Sequence, residues 1–379
     1  MSDTPIHSNF DGGNIECINS SNAQNIQLAI RKDNQSEFYQ WFYFRASNVL
    51  DTPCRYVIIN AQGAAYPRGW DNYRVVASYD REYWFRIDTS YLDGQLVIEH
   101  TSSHDQVYFA YFAPYSMERH ADLLAYAQSS GSCEVLTLGS TLDGQAIDCL
   151  KFGEDDGTRK KLWIIARQHP GETMAEWWME GMINRLLDED DAVTKALLDK
   201  AVFYIVPNMN PDGSRRGHLR TNAAGANLNR EWETPTLERS PEVYHVFAKM
   251  KQTGVDFALD VHGDESLPYN FIAGTQGIAS WNPARQHKLD TFKSTLAGIN
   301  PDFQTEQGYP ANAPGSANMS YCSNAVAEYF NCPAMTLEMP FKDSAVTPDP
   351  INGWSPERCI RLAESCLDAI YQSWDQVIE

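Results

Sequence analysis

The hydrophobic pattern changes character near residue 115. Before it, short segments rich in aromatic and β-branched residues recur at 37–46, 56–60, 83–87, 95–99 and 107–112. Turn formers such as Asp93-Gly94 and Pro67-Arg68-Gly69 separate them, and helical periodicity is scarce. Short strands at this spacing predict an antiparallel β-sandwich. After Pro114 the spacing predicts helices over 119–129, 173–187, 192–200, 242–252 and 355–374, with strands over 135–139, 148–152, 162–167, 202–206 and 257–261. Strands alternating with helices predict an α/β fold, a mixed β-sheet flanked by helices. The expected organisation is a β-sandwich domain at 1–115 and an α/β domain at 116–379. No internal repeat or low-complexity linker interrupts either part.

Composition narrows the class. A chain of 379 residues exceeds the usual size of a single core, which agrees with two domains. The formal net charge of −20 argues against nucleic acid as a partner, because phosphate backbones need a basic face. The same charge repels a strongly acidic substrate unless the site carries its own positive field. No run of about 18 apolar residues occurs, so no membrane span is expected. Met1-Ser2-Asp3-Thr4-Pro5 lacks the basic and apolar stretches of a secretory signal, and the eight cysteines form no CxxC pair. Free thiols in a cytoplasmic protein are the simplest expectation. Cys359 and Cys366, two helical turns apart, read as small core residues.

Three stretches carry candidate chemistry. In His169-Pro170-Gly171-Glu172, a histidine and a carboxylate three positions apart follow an apolar strand. His262 ends another apolar strand. Two imidazoles and one carboxylate leave an open fourth position on zinc, the ligand set of a hydrolytic site. The bland alternative is a Pro-Gly turn whose glutamate simply favours a helix start. Next, Asn208-Met209-Asn210-Pro211-Asp212-Gly213 is followed by Arg220 and by Asn227-Leu228-Asn229-Arg230. Arginine forks bind carboxylates with two parallel bonds, and asparagine adds a directional neutral donor. Arg215 and Arg216 read instead as surface arginines paired with acids. Finally, Met335-Thr336-Leu337-Glu338-Met339-Pro340 places one acid in an apolar strand. Either Glu338 is desolvated and suited to proton transfer, or the strand's alternate face meets water and Glu338 is an ordinary surface acid.

Together these motifs resemble the M14 family of zinc carboxypeptidases over roughly residues 118–379. The Trp41-Phe42-Tyr43-Phe44 segment and the stretch from Gly139 to Gly144 are similar to the cytosolic carboxypeptidase branch. The resemblance implies one zinc ion per chain held by His169, Glu172 and His262. It implies Glu338 as general base and acid, and Arg220 as a donor to the developing oxyanion. Asn229 and Arg230 would hold the substrate's terminal carboxylate, and the substrate would be a peptide or protein C-terminus. Asn227 stands where secreted relatives place an aspartate that orients the first zinc histidine, and Asp260 shares a strand face with His262. The tyrosine that closes over the bound chain end has two candidates, Tyr321 and Tyr309, with Tyr321 taken as substrate-binding. Eukaryotic cytosolic members place an arginine about fifteen residues before the catalytic glutamate. This chain reads Tyr321-Cys322-Ser323-Asn324-Ala325 there, which removes that basis for a glutamate preference. The competing expectations are an amidase of the same fold, acting on peptidoglycan-type peptides or acyl amino acids, and a non-catalytic peptide-binding relative. Partners beyond the substrate, and the oligomeric state, are left open.

Overall fold

The structure, a computed structural model, describes residues 4–379. Met1, Ser2 and Asp3, part of the stretch read for a signal, lie outside it. Two five-stranded sheets form the N-terminal part. One orders Ile6–His7, Tyr43–Ser47, Gln106–Ala110, Val76–Ser78 and Phe85–Arg86, and the other Glu16–Asn19, Ile26–Ala29, Pro53–Ile58, Gln95–Thr101 and Thr89–Leu92. Their inner faces meet through aromatic rings. Phe44 and Phe109 of the first sheet lie 6.0 and 4.9 Å from Tyr56 of the second.

The sandwich is antiparallel except for one pair, Ile26–Ala29 with Pro53–Ile58, which runs parallel. The segment predicted at 37–46 becomes a strand only over Tyr43–Ser47. Its earlier residues are tied by side chains instead. Gln40 exchanges hydrogen bonds with the Tyr66 backbone, and the Trp41 indole donates to the Gly12 carbonyl at 2.8 Å. The strand predicted at 83–87 shrinks to Phe85–Arg86.

The rest of the chain builds a seven-stranded sheet in the order Cys133–Ser140, Ala146–Phe152, Ala201–Val206, Lys160–Ala166, Phe257–Asp264, Ala334–Pro340 and Phe271–Ala273. The four strands from Ala201–Val206 to Ala334–Pro340 are parallel, and antiparallel strands flank them. Period-two alternation sorts their residues onto two faces. Leu162, Ile164, Leu259, Val261, Leu337 and Met339 face the helices Met174–Leu187 and Pro356–Gln372, in a core continuous with the sandwich. Trp163, Ile165, Tyr204 and Ala258 face the helices Pro241–Thr253 and Cys322–Phe330. Gly181 lets the first two helices cross closely: a Cβ there would stand 2.5 Å from the Ile360 carbonyl oxygen. Among the described residues no helix is long and apolar enough to cross a membrane. All eight cysteines are free, and Cys359 and Cys366 are buried.

Four α-helices escaped the pattern, two of them the short Pro211–Arg216 and Trp374–Val377. Pro283–Ile299 buries only Leu289, Phe292 and Leu296, too thin a stripe to read. Cys322–Phe330 is short and begins with Cys322, Ser323 and Asn324, which are poor helix formers buried by context.

A buried polar network braces the junction of helix Met117–Ser130 with Met174–Leu187. The Glu176 carboxylate, fully buried, accepts from His120 Nδ1 at 2.6 Å, from Arg167 at 2.5 Å and from Asn208 at 3.1 Å. Burial opposes charge on His120, but Glu176 and Asp148 outweigh it and raise the imidazole to about 9. The folded state therefore holds this proton where the unfolded chain has lost it. Stability should fall as pH rises from the ordinary imidazole value through about 9, by roughly 3 kcal/mol in total. Denaturant unfolding across that range checks this, and His120→Gln should flatten the profile. An unchanged slope in the variant would refute the assignment.

Candidate active site

The polar side chains converge where the parallel strands end. Leu337 and Met339 point into the large core, so Thr336 and Glu338 take the opposite face. Leu259 and Val261 do the same for Asp260 and His262. In register, His262 pairs with Glu338 and Asp260 with Thr336. Glu338 is thus a buried acid at a cleft wall and not a surface residue; its exposure is 7%.

His169 and Glu172 sit on the turn after strand Lys160–Ala166. The motif is a tight turn, and it also presents ligand-type atoms. The Gly171 N–H donates to the Leu219 carbonyl at 2.9 Å, and a Cβ on Gly171 would strike that same oxygen. Arg167, in the left-handed region at φ +57°, starts the turn, and its guanidinium donates to the Pro170 carbonyl at 3.0 Å. Asn210 donates to the Gln168 carbonyl at 3.0 Å.

Three groups come together there. Glu172 Oε1 lies 2.6 Å from His169 Nδ1, Glu172 Oε2 lies 2.8 Å from His262 Nδ1, and the two Nδ1 atoms are 3.2 Å apart. A tetrahedral zinc ion with its usual bonds to nitrogen would separate its ligand atoms by ~3.3 Å. The opposite ring nitrogens are engaged from outside. Asn227 Oδ1 accepts from His169 Nε2 at 3.0 Å, and Asp260 Oδ2 lies 2.9 Å from His262 Nε2. Gln168 steadies Asp260 at 2.7 Å and is itself held by the Trp232 indole at 2.8 Å. Among the described residues no other His, Cys, Asp and Glu side chains cluster in this way.

The electrostatics call for positive charge between the rings. Burial opposes the Glu172 carboxylate, yet the two imidazoles hold it well below the usual carboxylate range. Burial, followed by the Arg220 cation, lowers His169 to about 4. Burial opposes a charged His262 as well, but Asp260 and Glu172 overcome it and hold that ring well above the imidazole range. A site where one carboxylate and two imidazoles compete for a proton suits a divalent cation, which satisfies all three at once. The donor set and spacing fit zinc. Glu338 differs: burial, with Glu172 and Asp264 nearby, keeps it well above the ordinary carboxylate range, and its Oε2 has no hydrogen-bond partner.

These groups open onto a cleft of about 560 Å³. Arg220, Asn229, Arg230, Tyr309 and Tyr321 also line it. Neither arginine pairs with a carboxylate among the described residues. Arg230 stacks on Tyr321, 3.8 Å from the ring centre, and burial and then Arg220 press it below its ordinary value. Two unneutralised guanidiniums in a chain of net charge −20 mark a place for an anion. Asn229 accepts from the Cys322 N–H at 2.8 Å, leaving its amide toward His262 at 3.4 Å. The Tyr309 hydroxyl donates to Asp264. Arg216 instead pairs with Asp143 on the surface at 2.7 and 2.8 Å.

Some contributors carried no sequence signal. Lys293, on helix Pro283–Ile299, lines the cleft beside Gln276, Ser323 and Thr336. Tyr66 and Asp33 reach the site from the sandwich. The Asn208–Gly213 motif turned inward. Asn210 caps the short helix Pro211–Arg216, and buried Asp212 accepts from Thr141, Asp143 and Gln145. The stretch from Gly139 to Gly144 is thereby a latch for that helix.

Comparison with known proteins agrees with this arrangement. The family model for zinc carboxypeptidase matches residues 118–344, and that for the cytosolic carboxypeptidase N-terminal domain matches residues 6–112. An uncharacterised protein of Zymomonas mobilis is 50% identical over 372 residues, covering 98% of this chain and 97% of its own length. The metallo-carboxypeptidase of Pseudomonas aeruginosa, solved with (2-guanidinoethylmercapto)succinic acid, is 43% identical, with a TM-score of 0.96 over 98% of this chain and 99% of that one. Human cytosolic carboxypeptidase 1 is 25% identical over 71% of this chain, which spans 26% of that protein's length. Motif, fold and site geometry lead to one conclusion: the chain belongs to the M14 zinc carboxypeptidases, in the branch that carries the cytosolic carboxypeptidase N-terminal domain.

Proposed function

We propose that this protein is a zinc-dependent carboxypeptidase that hydrolyses the last peptide bond of a peptide or protein, with residues 116–379 supplying the reacting groups and 1–115 completing the site. The observation that carries the reading is the meeting, in one cleft, of the His169–Glu172–His262 cluster, an unpartnered buried acid and two unneutralised arginines. His169, Glu172 and His262 would hold the zinc ion, one per chain, through the two Nδ1 atoms and the carboxylate. The ion supplies Lewis acidity and an acidified water when bound. Asn227 and Asp260 fix the two rings with their Nδ1 atoms turned inward.

Glu338 takes the proton of the attacking water and returns it to the departing amine. Arg220 donates to the oxyanion that develops on the scissile carbonyl, where one such donor is often worth about 3 kcal/mol. Arg230 and Asn229 receive the terminal carboxylate, and the Tyr321 ring keeps the Arg230 fork in place. Tyr321 acts as a support for the carboxylate site, and Tyr309, which lines the cleft and is nearly half exposed, closes over a bound chain end. Thr336, Ser323, Gln276 and Lys293 also line the cleft and favour a polar or anionic leaving residue, with Lys293 supplying the cation.

A panel of short peptides differing in the C-terminal residue, assayed with and without a chelator, tests the reading. Free-acid peptides should lose one residue in a chelator-sensitive reaction, and amidated ones should not. Arg230→Ala should cut kcat/KM on free acids by about 10²-fold, the cost of leaving a charged partner unpaired. A kcat/KM on free acids close to that of the wild type would remove Arg230 from that role.

A further inference from the structure

The sandwich does more than cover the cleft. Asp33 lies in a turn after strand Ile26–Ala29 and is 3% exposed. Its carboxylate accepts from the backbone N–H groups of Leu219 at 2.7 Å, Arg220 at 2.8 Å and Thr221 at 2.9 Å, and from the Thr221 hydroxyl at 3.1 Å. No cation pairs with it among the described residues, so these four donors are its compensation for burial. The turn is closed by Asp33 N–H to the Phe38 carbonyl at 2.8 Å. Its neighbour Asn34 donates to the Ala223 carbonyl at 2.7 Å. Beyond the turn, the Arg220 guanidinium lies over the rings of Phe38 at 5.6 Å and Tyr66 at 5.5 Å. That guanidinium makes no hydrogen bond to any described residue.

We infer that the N-terminal β-sandwich is a working part of the active site: Asp33 is a positioning residue that sets the Arg220 backbone, while Phe38 and Tyr66 aim its guanidinium into the cleft. This rests on the reading of Arg220 as the oxyanion donor. The geometry explains how a flexible arginine with no carboxylate partner stays aimed. Its backbone is tied at three successive N–H groups, and two aromatic faces attract its charge. Displacement of a reacting group by even 1 Å can cost about 10²-fold in rate.

Asp33→Asn keeps the shape but turns one acceptor into a donor facing N–H groups. It should lower kcat by about tenfold or more, with KM, zinc content and the preference for free acids over amides unchanged. Arg220→Ala should cost about 10²–10³-fold, and the double variant should be no slower than Arg220→Ala alone. Phe38→Leu, which leaves the turn intact, should cost about two- to fivefold in kcat, and it keeps the test open if Asp33→Asn fails to fold. A readout independent of turnover comes from arginine Nε–Hε NMR on metal-free protein. The Arg220 signal, assigned by its loss in Arg220→Lys, should shift or broaden in Asp33→Asn while the other arginine signals hold. A folded Asp33→Asn with unchanged kcat and an unmoved Arg220 signal would overturn the inference, as would losses that multiply in the double variant. If the wild type releases no residue from any peptide, the carboxypeptidase reading fails instead, and the NMR result still decides whether Asp33 governs Arg220.

Discussion

Glu338→Gln should lower kcat by about 10²–10⁴-fold, the usual worth of a general acid–base group, while zinc stays bound at one per chain. The substitution preserves shape and burial and removes only the ability to take up and return a proton. The strand neighbours of Glu338, Leu337 and Met339, are core residues on the other face, so the substitution leaves that core untouched. The Glu338 Oε2 is buried without a partner, so no hydrogen-bond network is broken by the amide. The melting temperature should therefore not fall. Metal analysis together with single-turnover kinetics separates loss of chemistry from loss of metal or fold. A variant that turns over peptides near the wild-type rate would exclude Glu338 as the proton carrier.

The second large effect is expected at Glu172. Its carboxylate meets both imidazoles and also accepts from the Gly263 N–H at 3.0 Å. Glu172→Gln withdraws the only negative charge among the three ligand groups and points a donor at atoms that already donate or must bind metal. Zinc content after dialysis should drop from one per chain to near zero, and peptide release should become undetectable. Thermal unfolding gives an independent measure. At a zinc concentration about 100 times Kd, the wild type should gain ~2.7 kcal/mol of stability from binding, and the variant should gain none. Retention of one tightly held ion by the variant would show that the metal lies elsewhere.

Much of this was legible because it is local. The strand before His169 is a continuous apolar run, as buried parallel strands often are, and the strands before His262 and around Glu338 are apolar apart from Asp260 and from Thr336 and Glu338. Every helix predicted after residue 115 is present, with ends shifted by a few residues. Motif order sufficed to suggest which residues meet. It did not settle whether Glu338 faces water, since Met335-Thr336-Leu337-Glu338-Met339 alternates equally well for a cleft wall and for a surface. That was decided by what covers the second face, the helix Cys322–Phe330, which is too short and opens with too many poor helix formers to have been read as a helix.

The amino-acid sequence by itself determined the α/β sheet and the family, and it named the candidate ligand types for a metal. Each is carried by short local motifs and their order along the chain, where periodicity and motif spacing act. Only the tertiary structure decided that Lys293 enters the cleft and that Asp33, 187 residues before Arg220, fastens that arginine's backbone. A carboxylate bonded to distant backbone N–H groups leaves no mark on the sequence around it, because the donors it satisfies are the same in every residue but proline.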